Sequence, residues 1–99
     1  MQKSLHELTA ADLDEIKRLA GLVFVPREIA IMLELDEDDF VIECELKGTL
    51  VFRAFHGGRL QRMISLREKI IKLAESGSSP AQTMLYGIIK ETTAKMMDK

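Results

Sequence analysis

What this chain lacks narrows its possible roles first. A single cysteine, Cys44, leaves no internal disulfide, so the sequence carries no sign of a stapled, exported scaffold. No apolar run approaches the length needed to cross a bilayer, and Met1, Gln2, Lys3 and Ser4 are not followed by the apolar stretch of a leader. A cytoplasmic protein without membrane contact is therefore expected. Neither sign of charge dominates: the formal net charge is -2, too small for a polybasic nucleic-acid glue or an acidic tail. The two histidines, His6 and His56, lack metal-ligand spacing. The acidic run from Glu34 has neither the glycine nor the closing glutamate of a calcium loop, and no glycine-rich phosphate loop is present. Cys44 and His56 could be written as a thiol–imidazole pair, but no third group orients them. A non-enzymatic protein without cofactor, metal or catalytic residue is the expectation.

What is present suits one small domain spanning 1–99. With 46% apolar and 30% charged residues, the composition is that of a soluble globular chain. Helix signals run throughout. Thr9 and Asp12 form a capping box, Leu8 and Leu13 stand as a hydrophobic staple, and Ile16, Leu19 and Ala20 extend that face to a stop at Gly21. Pro26 opens a second helix carrying Ile29, Ala30 and Leu33 inward. Asp36 starts a third, with Leu35 and Phe40 as its staple. After a break at Gly57-Gly58, a fourth runs from Arg59 to Glu75, ended by Gly77. Ser79, Pro80, Ala81 and Gln82 read as the cap of a fifth, which continues through Met84, Leu85, Ile88 and Ile89. The segment 40–55 has two readings. Alternating Phe40, Ile42, Cys44 and Leu46 with a turn at Gly48 would give a β-hairpin and an α+β fold. As helix, Phe40, Cys44, Val51 and Phe55 fall on one side, and the Asp36 cap favours that choice. The expected fold is all-α, with about five helices, a helix-turn-helix-like part at about 9–47 and a helical hairpin at about 59–97.

Segment 26–40 has the layout of a helix-turn-helix. Ala30 is the small residue where two helices cross, and Ile29, Leu33, Leu35 and Phe40 flank the turn. Two features depart from a DNA reader. Glu34 holds the turn position where glycine is common, and the second helix opens with Asp36, Glu37, Asp38 and Asp39, which would meet phosphates with like charge. The plain alternative is a helical hairpin stabilised by acids at a helix N-terminus. Charge is also segregated. Glu34, Asp36, Glu37, Asp38, Asp39, Glu43 and Glu45 come without a base; Lys47, Arg53, Arg59, Arg62, Arg67, Lys69 and Lys72 follow with Glu68 alone against them. Three readings fit: faces that attract within one fold, complementary patches on neighbouring copies, or nucleic acid on the basic segment. A homo-oligomer is expected, with Met63, Met84, Met96 and Met97 supplying apolar contact.

The tail adds a resemblance. Lys72-Leu73-Ala74-Glu75-Ser76-Gly77-Ser78-Ser79-Pro80-Ala81-Gln82 runs into Leu85 and Ile88-Ile89-Lys90. This resembles a pattern in phage small terminase subunits and related phage helix-turn-helix proteins: a helix ending Ala-x-x-Gly, a short step, then an alanine-containing helix running to an apolar–lysine pair. The 26–40 segment looks like the helix-turn-helix of the same proteins; together the two cover about two thirds of the chain in short, degenerate motifs. The resemblance implies a DNA-binding, DNA-packaging adaptor that oligomerises and hands duplex DNA to a large terminase ATPase-nuclease subunit. It places Arg27, Asp38, Asp39 and Val41 in or beside the helix-turn-helix surface. The acidic second helix moves the expected DNA contacts to Lys17, Arg18 and Arg27, and to Arg59, Arg62, Arg67 and Lys69. The alternative from another class is a protein–protein assembly module that never touches DNA; loss of duplex binding with rising salt distinguishes them.

Overall fold

The computed structural model describes residues 3–97. It is all-α: a 3-10 turn at Leu5–Glu7 precedes α1 (Ala10–Gly21), α2 (Pro26–Met32), α3 (Glu37–Glu45), α4 (Leu50–Glu75) and α5 (Ser79–Met97). The segment 40–55 contains no hairpin. Phe40, Cys44, Val51 and Phe55 are all buried, as the helical reading requires, and a loop with Gly48 at φ +91° separates α3 from α4. Thr49 caps α4, its Oγ1 accepting from the Phe52 N–H at 3.0 Å. Contacts divide the chain into two compact units, Met1–Arg62 and Met63–Lys99.

The first unit holds the main core. Ile16, Leu19 and Ala20 of α1 meet Ile29 and Ala30 of α2, Leu35, Phe40 and Cys44 around α3, and Val51 and Phe55 of α4. Local chemistry fixes the helix starts. Thr9 Oγ1 accepts from the Asp12 N–H while Asp12 Oδ2 accepts from the Thr9 N–H at 2.8 Å, closing the capping box. Pro26 is the first residue of α2, and Glu28 Oε1 accepts from the Val25 N–H just ahead of it. Asp36 Oδ1 accepts from the Asp39 N–H at 2.9 Å. Both staple pairs lie at the core: Leu35 and Phe40 inside it, Leu8 and Leu13 against it.

α1 stops at Gly21, as expected, but the residue in the left-handed region is Val23, at φ +70°. The Val23 N–H donates to Ala20 O and the Phe24 N–H to Leu19 O, the paired bonds of a Schellman cap. Glu34, at φ +57°, closes α2 the same way, with its N–H on Ile31 O and that of Leu35 on Ala30 O. Gly77, at φ +99°, closes α4, where glycine is the expected residue.

Gly57-Gly58 is not a break, and α4 does not start at Arg59. The helix runs through both glycines. Gly58 serves a close crossing: a Cβ there would lie 2.1 Å from the Lys17 carbonyl oxygen, so only glycine lets α1 and α4 approach this closely. Gly21 faces the same crossing, its hypothetical Cβ 3.3 Å from Gly58 O.

In the second unit, the cap of α5 is one residue earlier than the sequence suggests. Ser78 Oγ accepts from the Ala81 N–H at 3.3 Å, placing Ser79 inside the helix. Gln82 reaches α4 instead of its own cap, its Nε2 donating to Ala74 O at 3.1 Å. Ile70, Ala74 and Ala81 are the buried side chains of this unit. Among the described residues, no helix is long and apolar enough to cross a membrane.

Candidate nucleic-acid interface

α2 and α3 pack against each other across a short turn. Ala30 on α2 and Phe40 on α3 are fully buried in the common core, and the left-handed Glu34 turns the chain between the two helices. The outward surface of α3 carries Asp38, Asp39, Ile42 and Glu45, all exposed. Two of the acids of α3 are reached from α2: Arg27 Nη2 donates to Asp38 Oδ1 at 2.9 Å, and Arg27 Nη1 lies 3.6 Å from Glu37 Oε1. Among the described residues, the ion pairs are these, Lys3–Asp12 and Glu15–Arg18. None joins α3 to α4, so the acidic and basic segments do not neutralise each other within the described structure.

The structure brings three of the seven basic candidates together. Lys17 and Arg18 on α1 and Arg62 on α4 line one shallow cleft of about 490 Å³ beside the Gly21–Gly58 crossing, with Asp14, Leu22 and Gln61. Arg62 Nε donates to Gly21 O at 2.7 Å, and Arg59, one turn earlier on α4, donates from Nη2 to Phe24 O at 3.0 Å. Arg62 therefore sits on the last carbonyl of α1, where the helix dipole favours positive charge, and Arg59 on a carbonyl of the loop that follows. Arg59 also stacks over the Phe55 ring, 5.1 Å from its centroid. Arg18 is bonded to Glu15, its Nε 3.0 Å from Oε1. Arg27 is taken up by the acids of α3, which hold its guanidinium still more firmly charged, Asp38 foremost. Arg67 and Lys69 belong to the second unit; Arg67 is half-buried, with no hydrogen-bond partner for its Nε among the described residues, and Lys69 is exposed.

Sequence reasoning missed Gln61 and Gly58 in this cleft. The Gly57-Gly58 dipeptide was the available signal, but in a helix it marks a close approach as readily as a stop. The Cys44 thiol and the His56 ring are not joined by a hydrogen bond among the described residues. His56 Nε2 lies 3.0 Å from the Cys44 carbonyl oxygen, and burial, with the nearby charges of Glu43 and Glu45, pushes the thiol up to about 12. Among the described residues, no three His, Cys, Asp or Glu side chains gather as a metal site.

No family model, curated protein or solved structure matches this chain.

Proposed function

We propose that this chain is a DNA-binding adaptor of the phage DNA-packaging type, one that holds duplex DNA for a large ATPase-nuclease subunit. The observation that carries the reading is the packed α2–α3 pair, with Ala30 buried and a left-handed turn at Glu34. The basic cleft of Lys17, Arg18 and Arg62 supplies a surface for the phosphate backbone. Contact there fixes position without reading bases, which fits an acidic α3 unsuited to lie against phosphates. The test is duplex titration at increasing salt. Three phosphate contacts give a slope of log K against log salt of about -2.7. Lys17→Glu and Arg18→Glu should weaken binding alike on all sequences. Absence of binding to any duplex at low salt overturns the reading.

A second reading, a protein–protein assembly module, is favoured by one observation. The first turn of α3 presents Asp38 and Asp39 to solvent beside Ile42, which is 57% exposed, a mixed acidic and apolar face that repels DNA and suits a basic protein surface.

A further inference from the structure

Residues 3–7 run as a strap over the first unit, tied to it at three points. The Lys3 N–H donates to Glu34 O at 3.0 Å, and Lys3 pairs with Leu35 as a one-residue parallel β-bridge. Lys3 Nζ lies 2.7 Å from Asp12 Oδ2 in the first turn of α1. Leu5 packs, half-buried, against the core. The strap has little structure of its own, only the 3-10 turn in which Ser4 Oγ accepts from the His6 N–H at 3.2 Å. Two clefts flank it. One of about 550 Å³ lies between the strap and Asp36, Asp39 and Ile42. Another of about 400 Å³ lies against Leu13 and Leu50. Leu5, His6 and Glu43 line both, so the strap belongs to the wall that the two clefts share.

We propose that the strap is the chain's own occupant of a peptide-docking groove, and that a partner protein binds by displacing it with an extended segment of the same chemistry. The strap itself defines that chemistry: a lysine or arginine for Asp12, a backbone N–H for Glu34 O, and a leucine two residues on for the core. In docking of this kind main-chain pairing supplies affinity and the side-chain seats supply specificity. The ties favour exchange. Glu34 is exposed, and Lys3 and Asp12 are only partly covered, so each polar group that is released finds water at once. Leu5 is the single apolar side chain of the strap. Segments held this lightly open locally, without global unfolding. A short free copy must still compete with a tethered strap whose effective concentration is about millimolar. A partner overcomes this by reaching further, into the cleft beside α3. Asp39 and Glu43 have no ion pair there among the described residues, and Ile42 is exposed, so additional cations around an apolar residue complement that cleft. The inference goes beyond the DNA-binding reading and stands whether or not DNA is bound.

The test uses the full chain and a fluorescent peptide that copies residues 3–8, with binding read by anisotropy. The unaltered chain should bind the peptide weakly, because its strap is in place. Loosening the strap with Lys3→Glu and Leu5→Ser together should raise the peptide's affinity by about tenfold or more at unchanged helix content. A control peptide with glutamate for the lysine and serine for the first leucine should bind the loosened chain about tenfold or more weaker than the copy does. Adding Asp12→Asn to the loosened chain should weaken the copy and leave the control unchanged, which assigns the cation to Asp12. A loosened chain that binds the copy no better than the unaltered chain overturns the proposal, as does equal binding of the two peptides. Loss of helix content on loosening overturns it as well, because the strap would then be a part of the fold and not the occupant of a groove.

Discussion

Among single residues, the two left-handed positions without glycine are the most informative. Val23 is β-branched, and its φ of +70° sets Cβ against its own backbone. The bonds of the cap hold it there, with Leu19 and Ala20 buried just ahead of it. Val23→Gly should therefore raise stability by about 1 kcal/mol, read as a higher denaturation midpoint at unchanged slope. Glu34→Gly should act in the same direction and by less, because an unbranched side chain strains this region less. A fall in midpoint for Val23→Gly would mean that the strain is not stored there. Asp12 gives a prediction on pH. Hydrogen bonds from Lys3 and then from the Thr9 backbone bring its carboxyl from 3.8 down to about 2. A depressed folded value means the stabilisation is complete above the unfolded value and is lost as pH falls through the folded one. Acid denaturation should thus steepen between about pH 4 and pH 2, and Asp12→Asn should flatten that segment.

For whole elements, what the sequence made legible divides by chemistry. Three starts set by side chains were readable, Thr9 with Asp12, Pro26 and Asp36, whereas the Thr49 cap of α4 was missed and the cap of α5 lies at Ser78, one residue before the expected Ser79. Ends set by backbone conformation were readable at Gly77 but not where Val23 and Glu34 occupy positions that composition reserves for glycine. Gly58 misled for the converse reason, its missing side chain serving a neighbouring helix. Of the basic candidates, sequence proximity grouped Arg59, Arg62, Arg67 and Lys69, whereas folding groups Arg62 with Lys17 and Arg18. The closeness of the α1–α4 crossing makes Gly58→Ala a severe change, since a Cβ 2.1 Å from a backbone oxygen forces the helices apart. Its cost should reach about 1–3 kcal/mol, well above that of Gly57→Ala, where the added carbon meets nothing within 4 Å. Ala30→Leu should cost a similar amount at the α2–α3 contact. On α5, Ser78→Ala should cost about 1 kcal/mol and Ser79→Ala less, a ranking that thermal melts of the two variants can check.

Across the whole molecule, the two units differ in what holds them. The first closes around ten buried side chains, nine from four helices and Leu35 from the turn between α2 and α3, including Phe40 and Ile16 with no exposure. The second buries Ile70, Ala74 and Ala81, two of them alanines, which contribute little apolar area. Helices with so small a core owe most of their stability to an amphipathic face that finds something to cover it. Local opening should follow this difference, since exchange of backbone amides reports the free energy of the smallest opening that exposes them. In dilute protein, amides of α1 and α3 that face the core should exchange only with global unfolding, while those of α5 and the last turns of α4 should exchange much sooner. Raising the protein concentration should slow exchange in 63–97 and leave the core of 10–62 unchanged, because association stabilises by mass action the surface it covers. Protection in 63–97 that equals the core at every concentration would show that this unit needs no partner, and would remove the apolar argument for assembly while leaving the cleft of Lys17, Arg18 and Arg62 to be tested by DNA titration.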